Sequence, residues 1–326
     1  MFNNVINRHD IANGLRKLAT GRGGALMAAM WKRPETRVVD AWSREETPPC
    51  DWWCIPEVQR RWNRMISGDP EVDYIEHVRR TCLAGRSGLR GWSIGCGTGH
   101  VERAWAATSL FRELEGTDVT EGSIRAARRA AEQAGLADVL RYRVDDVAAM
   151  SLPTGGYDVV LGVHSLHHLT PLAALFPRFR DALAPDGWFI INEFVGPDRF
   201  QWTDQQLGAI NDVLSRMPPR LKTLWKSGEL KRPVHRPGRL AMILRDPSEA
   251  VESSRILPEL RRHFDVRDVR GYGGAILHML LAGIAHHFTG DDPEARHWLA
   301  TCFETEDRLL AEGLIQHDFV VAVARR

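Results

Sequence analysis

The chain has 326 residues, 44% of them apolar, enough for one large or two ordinary domains around a buried core. Lys and Arg number 43 against 42 Asp and Glu, a formal charge of +1, so no global field recruits nucleic acid or an anionic membrane and any partner must be chosen by a local site. The longest apolar run, residues 275–285, is interrupted by His278 and Gly283 and is far shorter than the roughly 20 residues of a bilayer span.

In chain order, residues 1–30 mix charges with scattered apolar residues and lack the continuous apolar stretch of a secretory signal, so a cytoplasmic location and no membrane span are expected. Residues 1–84 hold no clear strand and read as an N-terminal helical and looped cap. Trp31, Trp42, Trp52, Trp53 and Trp62 would pin this irregular segment to the domain beneath it, or line an acceptor pocket. The five cysteines, at 50, 54, 82, 96 and 302, are odd in number and scattered, which suits a reducing compartment. Cys50 and Cys54 have no second pair at zinc-ligand spacing nearby, so no metal is assigned.

Residues 85–326 form the second unit. From Gly88, short apolar runs alternate with helical periodicity, the pattern of βαβ units and a mostly parallel sheet. Strands are predicted at 91–94, 113–118, 140–144, 157–163, 187–193, 264–269 and 318–324, with helices at 101–107, 121–134 and 173–183. The period is lost over about 197–247, too long for an ordinary connection, and residues 275–310 read as helical. Both are expected to be lid insertions.

Chemistry concentrates at the strand ends. Ser93-Ile94-Gly95-Cys96-Gly97-Thr98-Gly99 runs a strand into a glycine-dense turn, where the backbone can approach a nucleotide-like ligand without a Cβ clash. Its Gly-x-Gly-x-Gly spacing is tighter than the Gly-x-Gly-x-x-Gly that seats a dinucleotide pyrophosphate, so a nicotinamide dehydrogenase is disfavoured. Asp118-Val119 ends the next strand about 20 residues on, the position of a ribose-binding acid. Asp145-Asp146-Val147 ends the third, where a carboxylate and the following amide suit an exocyclic amine and a ring nitrogen. Asp146 fits that role best, Asp145 is the alternate, and for either one a helix cap is the competing reading.

With Tyr157-Asp158-Val159-Val160 and His164-Ser165-Leu166-His167-His168, these segments resemble class I S-adenosylmethionine methyltransferases over residues 85–193. The resemblance implies an α/β fold, a Rossmann-like sheet of seven strands with a final antiparallel strand and helices on both faces. It also implies S-adenosyl-L-methionine as cofactor. The glycine loop would pass under the methionine part, with Ser93 standing where the family commonly has an acid; Asp118 would hold the ribose and Asp146 meet adenine.

His164, His167 and Glu193 are the candidate catalytic residues, since a hydroxyl acceptor benefits from a base and all three lie near the ends of the fourth and fifth strands. Each has a structural alternative; for Glu193 it is a buried acid paired with an arginine such as Arg199. The expected activity is O-methylation of a small-molecule or saccharide-like acceptor. N-methylation and a non-catalytic cofactor-binding partner protein are the alternatives, and the oligomeric state is not readable from the chain.

Overall fold

The computed structural model describes residues 50–326, so Trp31, Trp42 and most of the predicted cap lie outside the described residues. The described chain opens on two helices, α1 (Pro56–Ser67) and α2 (Tyr74–Thr81), before the first strand. Gly68, with φ at 87°, ends α1 in the left-handed conformation that glycine adopts without penalty. Asp73 caps α2 by accepting from the Glu76 amide at 2.8 Å.

Strands and helices then alternate: β1 (Leu89–Ile94), α3 (His100–Ala106), β2 (Phe111–Asp118), α4 (Glu121–Gln133), β3 (Leu140–Val144), β4 (Tyr157–Val163), α5 (Leu172–Ala182) and β5 (Leu183–Phe194). After β5 come α6 (Asp204–Arg216), α7 (Arg239–Arg245), α8 (Ile256–His263), β6 (Asp265–Gly271), α9 (Leu277–Leu281), α10 (Pro293–Ala311) and β7 (Phe319–Arg325). The strands form one sheet in the order β3-β2-β1-β4-β5-β7-β6. β7 runs antiparallel to both β5 and β6, and the remaining neighbours are parallel. The predicted seven-stranded, mostly parallel sheet with a reversed final strand is therefore present.

Alternation along the strands builds a core on each face. On β5, Trp188 and Ile190 join a core that includes Trp52, Ile55, Leu114 and Leu299, whereas Phe189 and Ile191 join Trp92, Phe176 and Phe179 on the other side. Helix α4 buries Ile124, Ala127 and Ala131, the stripe its 3.6-residue period dictates. Phe189 is fully buried among Phe176, Phe179 and Phe264, so truncating it to alanine would cost about 3–5 kcal/mol.

Two elements differ from expectation. β5 begins at Leu183, ahead of the predicted start, because Arg325 and Arg326 donate to the carbonyls of Asp186 and Leu183 and hold the turn against the sheet. The helical stretch 275–310 is broken into α9, a 3-10 turn at Ala285–Phe288 and α10. Gly283 takes φ of 76° after α9, and Pro293 opens α10 at its first turn behind the Asp292 cap.

The long segment after β5 is ordered by polar anchors. Thr203 and Gln206 form a reciprocal capping box on α6. Trp202 and Gln206 both donate to the buried Asp318 carboxylate, tying α6 to the start of β7. Burial raises the Asp318 pKa to about 7, partly offset by those two donors. From the amino-terminal side, Arg61 on α1 reaches Glu306 on α10 at 2.9 Å, and Glu306 in turn accepts from the Ile276 amide.

Candidate functional site

Parallel strands β1, β2, β3, β4, β5 and β6 end on one edge, and the antiparallel β7 begins there, so this edge collects every predicted site residue. The glycine loop leaves β1 through Gly95, Gly97 and Gly99, with φ of 64°, 51° and 74°. A side chain on Gly95 would run into Ser165 at 2.7 Å, so this glycine lets the loop touch the segment after β4. Gly97 differs: nothing lies within 4 Å of the place its Cβ would occupy. The space there is open for a ligand rather than filled by protein.

Asp118, half-buried at the tip of β2, accepts from the Gly97 amide at 2.9 Å through one oxygen and from the Thr120 amide at 2.8 Å through the other. Val119 beside it is 43% exposed, an apolar surface on the same edge. Asp145 is half-buried, paired with Arg143 at 3.1 Å, and accepts from the Asp146 amide. Asp146 is exposed and accepts from the Ala148 amide at 2.8 Å, a turn-capping bond, while Val147 turns into the core. Cys96 is buried behind the loop, and burial pushes its thiol up, out of the range of a reactive thiolate. Thr98 gives its carbonyl to Arg103, and the Gly99 carbonyl accepts from the Tyr142 hydroxyl at 3.4 Å.

Ser93 is buried, and its hydroxyl donates to Glu102 at 2.5 Å. Glu102 lies on α3 and was not singled out in the sequence; only its place nine residues after Ser93, on the helix leaving the glycine loop, could have suggested it. Burial raises its pKa to about 7 against the Ser93 hydrogen bond, and its second oxygen has no partner.

The segment after β4 brings His164 and His167 beside Glu193, with His168 against His167. His164 takes φ of 50°, an uncommon value for a residue with a Cβ, while its amide donates to Asn192 on β5 at 2.9 Å. His164 is exposed to solvent on this edge, while the protein atoms packed beside it still desolvate its imidazole. This desolvation lowers its pKa, with His167 adding to the effect and Glu193 opposing it.

Glu193 is fully buried. It accepts from the amides of Ser165, Leu166 and Phe194 and is paired with His167 Nδ1; Arg199 instead donates to the Glu249 carbonyl. Burial opposes both charges, but the pairing outweighs it, holding the Glu193 carboxyl low and the His167 imidazole high. His167 Nε2 faces Glu249 Oε1 at 3.7 Å, and His168 stands beside it with ring centroids 4.0 Å apart. Glu249 belongs to the long segment after β5, and no local spacing in the sequence announces its meeting with His167.

A cluster of aromatic rings packs beside His164. Phe319 lies 6.1 Å from His164 between ring centroids and 5.3 Å from both Phe194 and Trp52. Phe200 stacks on Trp202 at 5.0 Å, and His278 stands 5.5 Å from Phe319. Burial lowers His278 to about 4, with Lys231 the next contributor, so its ring is neutral. A separate cavity of about 400 Å³, lined by His77, Trp188 and Arg325 among others, contains none of these residues.

Residues 92–189 match the methyltransferase domain family. The chain is 30% identical over 152 residues to a ubiquinone biosynthesis O-methyltransferase of Psychrobacter arcticus, covering 44% of this chain and 58% of that protein. It is 25% identical over 138 residues to a sterol 24-C-methyltransferase of Gibberella zeae, covering 42% of this chain and 36% of that one. The chain thus spans little more than half the length of the first relative and about a third of the second. Among solved structures it resembles an S-adenosylmethionine-dependent methyltransferase of Mesorhizobium loti, at 20% identity and a TM-score of 0.43, over 77% of this chain and 97% of that one.

Proposed function

We propose that this chain, which belongs to the class I S-adenosylmethionine-dependent methyltransferases, methylates a hydroxyl of a small-molecule or saccharide-like acceptor with His164 as the base. The observation that carries the reading is the environment of His164. His164 is exposed while the neighbouring Glu193 and His167 are buried and occupied with each other. Glu193 and His167 then act as positioning residues.

The cofactor seat rests on the strand ends. Gly97 leaves open space, Asp118 offers a half-buried carboxylate for the ribose, Val119 offers an apolar surface, and Asp145, Asp146 and the Val147 amide border the adenine end. Ser93 contributes through Glu102 on the methionine side. When bound, S-adenosylmethionine supplies a methyl group activated by its sulfonium.

The protein's task is to hold the acceptor in line with that carbon and keep water out. Half-buried Phe200, backed by the buried rings of Phe194 and Trp202, suits contact with a ring-bearing acceptor. His164, kept unprotonated by its lowered pKa, accepts the acceptor's hydroxyl proton, and the nearby Glu193 carboxylate favours the imidazolium that results. The segment 197–247, which carries Phe200 and Trp202, and the segment 275–310 act as lids.

One relative named an O-methyltransferase supports oxygen as the acceptor atom, whereas the other is named a C-methyltransferase. Calorimetry with S-adenosylmethionine, followed by mass-shift detection of methylated hydroxyl compounds, tests the proposal. Binding followed by O-methyl product is the expected result. Product on nitrogen, or binding with no transfer to any acceptor class, would contradict it.

A further inference from the structure

We propose that His167, His168 and Glu249 form a binding site for a divalent transition-metal ion, with zinc the best chemical match. One ligand atom from each residue lies within 4.8 Å of the other two. Two imidazoles and a carboxylate form a borderline donor set, the type that Zn²⁺ and its first-row neighbours take, and three protein donors leave a tetrahedral ion one position for water or a ligand oxygen.

The setting of His167 supports the assignment independently. Its Nδ1 is held by Glu193, a carboxylate fixed by three backbone amides, so Nε2 is the nitrogen aimed at Glu249. A carboxylate behind a histidine ligand is the arrangement that fixes ring orientation and strengthens the nitrogen as a donor. His167 and His168 are adjacent on the 3-10 turn Leu166–His168, which Glu193 anchors, so two of the three ligands share one supported backbone segment.

Charge is compatible. The carboxylates of Glu193, Glu249 and Asp246 all bear on His167, against the Arg199 guanidinium, which donates to the Glu249 carbonyl. Ser248 hydroxyl, 3.4 Å from His168 Nδ1, donates to Asp246 at 2.6 Å and braces the side of the cluster. The rival occupant of the gap between His167 and Glu249 is a proton shared by the two side chains. The ion would lie near His164, three residues before His167, and tie the segment after β5 to the end of β4. Sequence spacing could not reveal the set, because Glu249 is brought to the histidines only by the fold.

The full-length protein, stripped with chelator and titrated with Co²⁺ in the absence of S-adenosylmethionine, tests this directly. The expected result is one equivalent of Co²⁺, visible ligand-field bands of a four-coordinate ion, and displacement by Zn²⁺. His168→Ala and Glu249→Gln, both at half-buried positions, should each weaken binding at least about 10-fold while leaving near-ultraviolet circular dichroism and melting temperature close to wild type. Cys50→Ser/Cys54→Ser should bind as wild type, which excludes the thiol pair as the source. No stoichiometric Co²⁺, equal affinity in His168→Ala, or loss of binding in the cysteine variant would each overturn the site.

Discussion

Asp118 accepts a hydrogen bond from the Gly97 amide at 2.9 Å, so the glycine loop and the tip of β2 form one unit. Replacing Asp118 with alanine should therefore weaken S-adenosylmethionine binding by about 1–3 kcal/mol, through loss of a charged acceptor for the ribose and of the loop's anchor. Calorimetry checks this; unchanged affinity would remove Asp118 from the site.

Gly97 and Gly99 should separate cofactor binding from folding. Both have positive φ, so a valine at either is strained by about 1–2 kcal/mol. At Gly97 the added atoms would enter open space, so Gly97→Val should remain folded and lose cofactor affinity at least about 10-fold. At Gly99 they would meet the Tyr142 ring and Ala127, and stability should fall further. Equal cofactor affinity in Gly97→Val and wild type would show that the open space is not the cofactor's.

The strands and the ligand-binding edge were legible because parallel strands, buried on both faces, read as short apolar runs separated by helical periods, and each motif sits next to the strand that carries it; the reversed final strand was implied by the family resemblance. The Ser93–Glu102 pair and the approach of Glu249 to His167 were not. The first depends on which face of α3 is buried, and the second joins residues whose proximity is set by tertiary packing alone. The sequence also offered Arg199 as a partner for Glu193, but the fold presents His167 instead, because the turn after β4 wraps onto the end of β5.

Glu102 should make stability fall with pH. Its folded pKa, raised to about 7 by burial, lies above the unfolded value, so its contribution is complete below about pH 4 and lost as pH rises through about 7. Glu102→Gln keeps a partner for Ser93 and removes the titration. Relative to wild type, the variant should gain up to about 3 kcal/mol between about pH 5 and about pH 8.5. Parallel stability curves for the two proteins over that range would mean that Glu102 is not held in a desolvated site.

The base assignment rests on His164, and single-turnover methyl transfer over a range of pH tests it most directly. The titratable groups around His164 are Glu193, His167 and His278, with Phe319 against the ring, and its pKa lies below the ordinary 6.5. Wild-type rate should accordingly be flat above neutrality and fall on acidification, with a midpoint below 6.5. His164→Ala should lower the rate by roughly 10²–10⁴-fold, abolish that inflection and leave S-adenosylmethionine affinity nearly unchanged. A variant that transfers the methyl group at the wild-type rate with the same pH profile would contradict the account.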